Sequence, residues 1–388
     1  MYESNKEDPL VTVKDSEDSD LEDLRVKESD HLLVAGVTDK NLSHLDFYVY
    51  EHSKANAYVH HDLLLSDIPL SLTPIHFNSS SPSLKANLVA VGTFSKEIEI
   101  WDLDVVNSVE PISTLSPPSS PSPASKHFKR KASTSGSGGE AVLSLSWNSL
   151  SGSLLASGSG DKKVRVWDLN ESKQVSSHKH HTDKVQVVRW EKGEGKIVAS
   201  GSFDKTVVLS DVRLLSSSSL KSQVGAEVES MEWGGGEGEG GGGESTNKLF
   251  VSSEDGQVSV FDVRKFENKL FSFSAHKLAT SSLSPSPFFP NLLLTSSLDH
   301  SLKLWDLSSS SPLLIHSQPL NVTIPLSSSS PLLSYSLFFA SLLHFILCIS
   351  LTFHSLHLSY SLFFASLLLF VLSSSFTVKS FLCGFQSR

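Results

Sequence analysis

Cysteine is scarce in this chain, which contains two cysteines among 388 residues. Both lie near the C-terminal end, at Cys348 and Cys383. A disulfide framework and a cysteine metal site are therefore excluded for the part of the chain that precedes Cys348. The N-terminus is acidic and polar, and it lacks the apolar run of a secretory signal. We therefore expect an intracellular, reducing compartment.

Short motifs of enzyme active sites are also missing. The sequence contains no G-x-S-x-G elbow, no Walker phosphate loop and no H-E-x-x-H zinc motif. A G-x-G-x-x-G match at Gly236, Gly238 and Gly241 lies in a glycine run that includes two glutamates. A phosphate cradle requires a strand before it and a helix after it, and glutamates repel phosphate. We therefore expect no enzyme activity and no cofactor.

Two groups of histidines raise the question of a metal site. His60 and His61 are adjacent, and His178, His180 and His181 form the second group. Neighbouring residues of a strand point to opposite faces, so adjacent histidines are poorly placed to ligate one ion together. We therefore predict no metal and interpret these histidines as structural.

Charge is almost absent from the C-terminal segment, residues 320–388. No acidic residue follows Asp306, and no lysine or arginine lies between Lys303 and Lys379. The ten residues SYSLFFASLL occur twice, at 334–343 and 359–368. A membrane segment is one interpretation, but the apolar runs are shorter than the roughly 20 residues that span a bilayer. We favour the other, that this low-complexity tail is translated non-coding sequence or a faulty gene model.

A repeated unit dominates the rest of the chain. Each copy has an apolar strand, a Ser/Gly/Asp turn and an alternating strand that ends on an aspartate, in three copies preceded by Trp or Phe. The four clear copies are LLASGSGDKKVRVWDL at 154–169, IVASGSFDKTVVLSDV at 197–212, LFVSSEDGQVSVFDV at 249–263 and LLLTSSLDHSLKLWDL at 292–307. Their turn aspartates, Asp161, Asp204, Asp255 and Asp299, each stand seven residues before the closing aspartate. Such a period predicts stacked units that bury their apolar faces against each other.

Two weaker copies lie upstream. LVAVGTFSKEIEIWDL at 88–103 has Ser95 in place of the turn aspartate, and residues 32–36 and 45–52 have the strands without the signature. Together, the four clear and two weak copies resemble the WD-repeat β-propeller, whose blades have four antiparallel strands. The resemblance implies an all-β propeller with six recognisable blades of an expected seven, the closing blade being missing or degenerate.

The resemblance also implies a hydrogen-bonded set of His, Ser/Thr, Asp and Trp in each blade. We assign this set residue by residue. The copy at 292–307 supplies the complete set, the copy at 197–212 has Ser210 in the Trp position, and the copy at 154–169 has Gly138 near the position of the histidine. The three sets are His276, Thr295, Asp299 and Trp305; His181, Ser200 and Asp204; and Ser157, Asp161 and Trp167.

Strings outside the blade signature narrow the resemblance. YVHHDLLLS at 58–66, IEIWDLDVVNSVEP at 98–111, AVLSLSWN at 141–148 and HTDKVQ at 181–186 are similar to the periodic tryptophan protein 1 family of nuclear WD-repeat proteins. The resemblance implies a nuclear and nucleolar scaffold in ribosome biogenesis that binds proteins of pre-ribosomal or chromatin complexes, with any nucleic-acid contact indirect. A chromatin reader that holds a histone tail is the alternative, and a membrane-anchored adaptor is a weaker third reading.

Besides the C-terminal tail at 320–388, three segments interrupt or flank the propeller, which we expect to span residues 30–319. Residues 1–29 form an acidic tail, and residues 116–139 and 234–243 form a Pro/Ser/Lys-rich and a Gly-rich insertion. The first insertion contains a basic cluster that reads equally as a solvated loop or as a nuclear-import or phosphate-contacting element: Lys126, Lys129, Arg130 and Lys131. Candidate phosphorylation sites are Ser19, Ser120 and Ser122.

Overall fold

A computed structural model of the chain describes residues 30–39, 42–51, 56–76, 87–106, 108–118, 140–213, 219–234, 247–286, 291–309 and 311–319. These residues form six antiparallel sheets in which sequence neighbours pair in order. Each sheet is one blade, and the six blades confirm the predicted all-β propeller. Among the described residues, the single helical element is a 3-10 turn at Val263–Lys265.

Blade one has three strands and the other five blades have four each. Blades one to three consist of β1 (Asp30–Asp39), β2 (Leu42–Glu51) and β3 (Asn56–Leu64); β4 (Pro69–Ile75), β5 (Leu88–Thr93), β6 (Ile98–Asp102) and β7 (Ser113–Leu115); and β8 (Val142–Trp147), β9 (Leu154–Ser159), β10 (Val164–Asp168) and β11 (Lys173–His178).

The remaining three blades repeat the same order. They consist of β12 (Val185–Trp190), β13 (Ile197–Ser202), β14 (Thr206–Asp211) and β15 (Ser219–Gln223); β16 (Val228–Trp233), β17 (Lys248–Ser253), β18 (Gln257–Asp262) and β19 (Lys269–Ser274); and β20 (Ser282–Pro285), β21 (Leu292–Ser296), β22 (Ser301–Asp306) and β23 (Leu313–Pro319). In blades two to six, the first strand of each blade contacts the first strand of the next blade. These five strands, β4, β8, β12, β16 and β20, therefore surround the propeller axis.

Apolar side chains fill the space between consecutive blades. Each of the five described interfaces contains a buried tryptophan: Trp101, Trp167, Trp190, Trp233 and Trp305. Three of them close the repeated signature and two end an innermost strand. The middle strands are covered on both faces and therefore read as continuous apolar runs, whereas the outer strand β11 alternates between exposed and half-buried residues. The closing tryptophan of the repeat thus contributes to three of the five interfaces, and a tryptophan of an innermost strand contributes to the other two.

Small residues permit the close approach of the blades. A Cβ atom added to Gly158 would lie 2.7 Å from the Cγ2 of Val188, which belongs to the next blade. At Gly201 the same atom would lie 2.6 Å from the Cγ1 of Val228. Real Cβ atoms do not approach so closely, so glycine is required where an innermost strand crosses the second strand of the preceding blade.

Candidate functional site

The polar set of blade six is a continuous chain of hydrogen bonds. The Nδ1 of His276 donates to Asp299 at 3.1 Å, and its Nε2 lies 2.8 Å from the hydroxyl of Thr295. The indole Nε1 of Trp305 donates to the same hydroxyl at 3.1 Å. The structure therefore brings together His276, Thr295, Asp299 and Trp305, and the chain ties the loop before β20 to strands β21 and β22.

Electrostatics favour a neutral histidine and an ionised aspartate in this set. Burial lowers the pKa of His276 below its ordinary value, against the opposing effect of Asp299. Burial alone would raise the pKa of Asp299, but the hydrogen bond from Ser301 and the contact with His276 outweigh it and lower that pKa. A neutral imidazole can accept the hydrogen bond of Thr295 at Nε2 while it donates from Nδ1.

Blade four has the same histidine and aspartate but no tryptophan. His181 donates from Nδ1 to Asp204 at 3.1 Å, and its Nε2 lies 2.9 Å from the hydroxyl of Ser200. Burial opposes ionisation of Asp204, but hydrogen bonds from the Thr206 hydroxyl and the Thr182 amide lower its pKa to about 2. Within the described residues, the hydroxyl of Ser210, in the tryptophan position, is buried without a partner.

In blade three the turn aspartate is paired with an arginine of strand β10 instead of a histidine. The indole of Trp167 donates to Ser157 at 2.8 Å. The guanidinium of Arg165 donates to both carboxylate oxygens of Asp161, with Nη1 at 3.2 Å. Gly138 lies outside the described residues. The sequence analysis did not identify Arg165, although its position four residues after Asp161 was a usable signal.

In blade two a glutamate accepts the hydrogen bond of the tryptophan, the role that a Ser or Thr hydroxyl has in blades three and six. The indole of Trp101 donates to the Oε2 of Glu99 at 3.0 Å, and the hydroxyl of Ser66 donates to the Oε1 of the same carboxylate. Glu99 is buried, and these hydrogen bonds give both of its carboxyl oxygens a partner inside the blade. The sequence analysis noticed that Ser95 stands where the aspartate is expected, but it did not identify Glu99.

Two buried serines of blades three and four, one with a hydrogen-bond partner and one without, allow a test. Replacing Ser157 by alanine leaves the buried indole N–H of Trp167 without its acceptor, and we expect a loss of about 1 to 2 kcal/mol in the free energy of unfolding. Replacing Ser210 by alanine removes a hydroxyl without a partner among the described residues, so stability should stay within about 0.5 kcal/mol of the wild type or rise. Urea unfolding of both variants provides the comparison. Equal losses would contradict the assigned hydrogen bond.

The prediction that the adjacent histidines His60 and His61 point to opposite faces is wrong. His60 and His61 do not point to opposite faces, because a register shift between Phe47 and Tyr48 makes His60 the extra residue of a β-bulge. Their Nδ1 atoms lie 2.8 Å apart. In the part of the chain that the structure describes, no group of three or more His, Cys, Asp or Glu side chains is arranged to hold a metal ion.

Several predicted residues fall on segments that the structure does not describe. The basic cluster at 126–131 and the candidate phosphorylation sites Ser19, Ser120 and Ser122 lie outside the described residues, as does the tail at 320–388. Within the described ranges, no helix has the length and apolar character needed to cross a membrane.

The geometry defines a class of protein: stacked four-stranded blades, an aromatic closing residue and polar sets at the turns. The family model WD40 (WD domain, G-beta repeat) matches residues 128–168 and 267–306. The chain is therefore a WD-repeat protein with a β-propeller fold.

The curated relatives narrow this class. Periodic tryptophan protein 1 of Saccharomyces cerevisiae is 30% identical over 356 residues, covering 79% of this chain and 59% of the relative. The periodic tryptophan protein 1 homolog of Drosophila melanogaster is 28% identical over 302 residues, covering 75% of this chain and 61% of the relative. An uncharacterised WD repeat-containing protein of Schizosaccharomyces pombe is 38% identical over 324 residues, covering 83% of this chain and 61% of the relative. The chain is thus homologous to periodic tryptophan protein 1 over most of its length, and it spans about three fifths of these relatives.

Proposed function

We propose that this chain is a non-enzymatic scaffold in ribosome biogenesis that binds proteins of pre-ribosomal complexes in the nucleolus. The observation that carries the proposal is the similarity to the two periodic tryptophan proteins over three quarters or more of the chain. The strings that first indicated this family, such as HTDKVQ at 181–186, lie partly outside the generic blade signature.

The chemistry of the described polar groups supports a scaffold. A buried His–Asp pair occurs at equivalent positions in blades four and six, at His181–Asp204 and His276–Asp299. In both places the pair hydrogen-bonds to groups of its own blade. A catalytic site is normally a single constellation that opens onto a substrate pocket. The repetition therefore favours a role in holding the blades together.

Nuclear import is the role that we propose for the basic cluster Lys126, Lys129, Arg130 and Lys131. Lysine and arginine concentrated in a short Pro/Ser-rich segment are typical of import signals. Replacing all four by alanine should reduce the nuclear fraction of a fluorescently tagged chain in live cells. An unchanged nuclear fraction would overturn the proposed import role.

The scaffold role is tested by depletion and rescue. In cells depleted of the endogenous homologue, we expect pre-ribosomal RNA precursors to accumulate, as measured by northern blotting. A longer homologue that covers the whole length of the relatives should rescue processing, and tagged chain should co-sediment with pre-ribosomal particles. Normal precursor levels after depletion, or no co-sedimentation, would overturn the proposal.

A chromatin role is the second candidate. One specific observation favours it: a segment of 66 residues, 16% of this chain, is 38% identical to the DNA damage-binding protein CMR1 of Phaeosphaeria nodorum. Salt-sensitive binding of the purified chain to nucleosomes, without co-sedimentation with pre-ribosomal particles, would support this alternative over the first.

A further inference from the structure

Cationic and aromatic side chains gather at the outer part of the seam between blades three and four. They come from the connection between β11 and β12, which reads HKHHT at 178–182, from the β9–β10 turn and from strand β15. Strands β11 and β15 are the outermost strands of their blades. We call this group the seam patch, and it consists of Lys162, His178, Lys179, His180 and Lys221.

The two histidines of the seam patch stack on each other. The ring centroids of His178 and His180 lie 5.9 Å apart, and the ring planes are inclined by 24°. Both residues are half-buried, and Lys179 between them is exposed. Burial lowers the pKa of His178, and burial together with cationic neighbours lowers the pKa of His180 to about 4. Both rings are therefore neutral at pH 7 and offer an aromatic surface rather than further charge.

Lysines from separate elements surround these rings. Lys162, exposed at the tip of the β9–β10 turn, donates from Nζ to the Thr182 carbonyl oxygen at 2.7 Å. The ammonium group of Lys221 lies 3.8 Å from the Oδ2 of Asp204, and the Lys221 side chain is 44% exposed. Its charge also contributes to the lowered pKa of His180, which places it beside the β11–β12 connection.

The carboxylates of this seam are mostly engaged within the blades. Asp204 belongs to the polar set of blade four, and its side chain is 5% exposed. The carboxylate of Asp161 is bound by the guanidinium of Arg165. Asp183 is exposed, and its Oδ1 accepts from the Lys184 amide at 2.8 Å. In the described part of this seam the exposed lysines thus outnumber the exposed carboxylate, which creates a positive region on a chain of net charge −10.

Cations beside flat aromatic rings match the chemistry of single-stranded nucleic acid. Phosphates bind lysine side chains, and unpaired bases stack on aromatic side chains, including histidine. An acidic peptide would use the lysines but would leave the stacked rings without a role. The members of the seam patch lie on outermost strands, on a turn and on a connection, so a linear strand can cross the seam along the surface of the two blades.

We propose that the seam patch binds a segment of single-stranded RNA. Its phosphates contact Lys162, Lys179 and Lys221, and one of its bases stacks against the pair formed by His178 and His180. This contact is direct, whereas the sequence analysis expected any nucleic-acid contact to be indirect. The choice of RNA over DNA rests on the proposed role in pre-ribosomal complexes, because phosphate contacts and stacking fit both.

The probe is fluorescein-labelled decauridylate RNA, and the comparison is a fluorescein-labelled decaglutamate peptide of similar charge. Binding of each to the purified full chain is followed by fluorescence anisotropy. We expect the RNA to bind about tenfold more tightly than the peptide, because only the RNA can stack. Its affinity should fall as salt is raised, since lysine–phosphate contacts release counterions. Equal or tighter binding of the peptide would assign the seam patch to an acidic protein partner and overturn the proposal.

Variants separate the seam patch from the basic cluster at 126–131. Lys179→Ala combined with Lys221→Ala should weaken RNA binding about tenfold, because two phosphate contacts are lost. The control combines Lys173→Ala with Lys196→Ala, which removes the same charge from exposed positions at the opposite end of the same two blades. The control should change RNA binding less than about twofold. Equal weakening by the two double variants, or no weakening by the first, would overturn the proposal.

A third variant tests the stacked rings. His178→Leu keeps an apolar side chain without an aromatic face, and it should weaken RNA binding about fivefold while leaving peptide binding unchanged. Thermal unfolding of each variant verifies that the fold is retained. Photo-crosslinking of the unaltered chain to decauridylate containing 4-thiouridine, followed by mass spectrometry, locates the contact without any substitution. We expect crosslinks within 178–182, and crosslinks confined to other segments would overturn the proposal.

The failure of this inference is distinguishable from the failure of the proposed function. A chain that binds RNA through the seam patch but does not co-sediment with pre-ribosomal particles retains the patch and refutes the ribosomal role. A chain that co-sediments, and whose Lys179 and Lys221 double variant keeps full RNA affinity, retains the role and refutes the patch.

Discussion

Replacing Asp299 by alanine is expected to lower the free energy of unfolding by about 2 to 3 kcal/mol. The carboxylate accepts hydrogen bonds from the Nδ1 of His276 at 3.1 Å, from the Ser301 amide at 3.1 Å and from the Ser301 hydroxyl at 2.6 Å. Alanine leaves these donors without an acceptor, and the His276 side chain, fully buried, has no access to water in exchange. Urea unfolding measured at one pH gives the difference.

Asp255 is the matched control for this prediction. It occupies the same turn position in blade five, where it accepts from the Ser253 hydroxyl at 2.6 Å and the Gln257 amide at 3.2 Å. Asp255 is exposed, and Phe261 occupies the tryptophan position without an indole N–H. Asp255→Ala should therefore cost less than about 1 kcal/mol. Equal losses in the two variants would show that the histidine-containing set adds nothing to the stability of blade six.

Replacing Glu229 by glutamine is expected to stabilise the fold at alkaline pH. Burial, reinforced by Glu254, raises the pKa of Glu229 from 4.5 to about 7. The folded state therefore binds this proton more tightly than the unfolded state, so folding loses stability as the pH rises from about 4.5 to 7. A neutral glutamine removes that loss, and the free energy of unfolding at pH 8 should rise by about 2 kcal/mol.

The pH dependence separates this effect from a change in packing. The gain should be small at pH 5, where Glu229 is already protonated in the folded state, and it should reach its full size above pH 7. The lowered pKa values of His181 and His276 act in the opposite direction, because the neutral forms are favoured and stability is lost below about pH 6.5. Both histidines are present in the wild type and in the variant, so the difference isolates Glu229. A gain that is equal at pH 5 and pH 8 would contradict the assignment.

The sequence by itself determined the repeated architecture. The offset of seven residues between Asp299 and Asp306 covers one turn and one strand, so it specifies a hairpin, and its recurrence specifies a series of equal blades. The tryptophans of the signature were recognisable for the same reason, since a repeated unit must bury its aromatic residue against its neighbour. Local spacing carries this information because each hairpin is formed by residues close in sequence.

Only the tertiary structure decided which groups meet across strands and blades. The pairing of Arg165 with Asp161 and the use of Glu99 as the acceptor of the Trp101 indole depend on side-chain direction after folding, although both residues lie within copies of the repeat. The bulge at His60 broke the alternation on which the interpretation of that pair depended. Likewise, the register shifts near the beginning of β4, β8, β12 and β16 became visible only in the strand pairing.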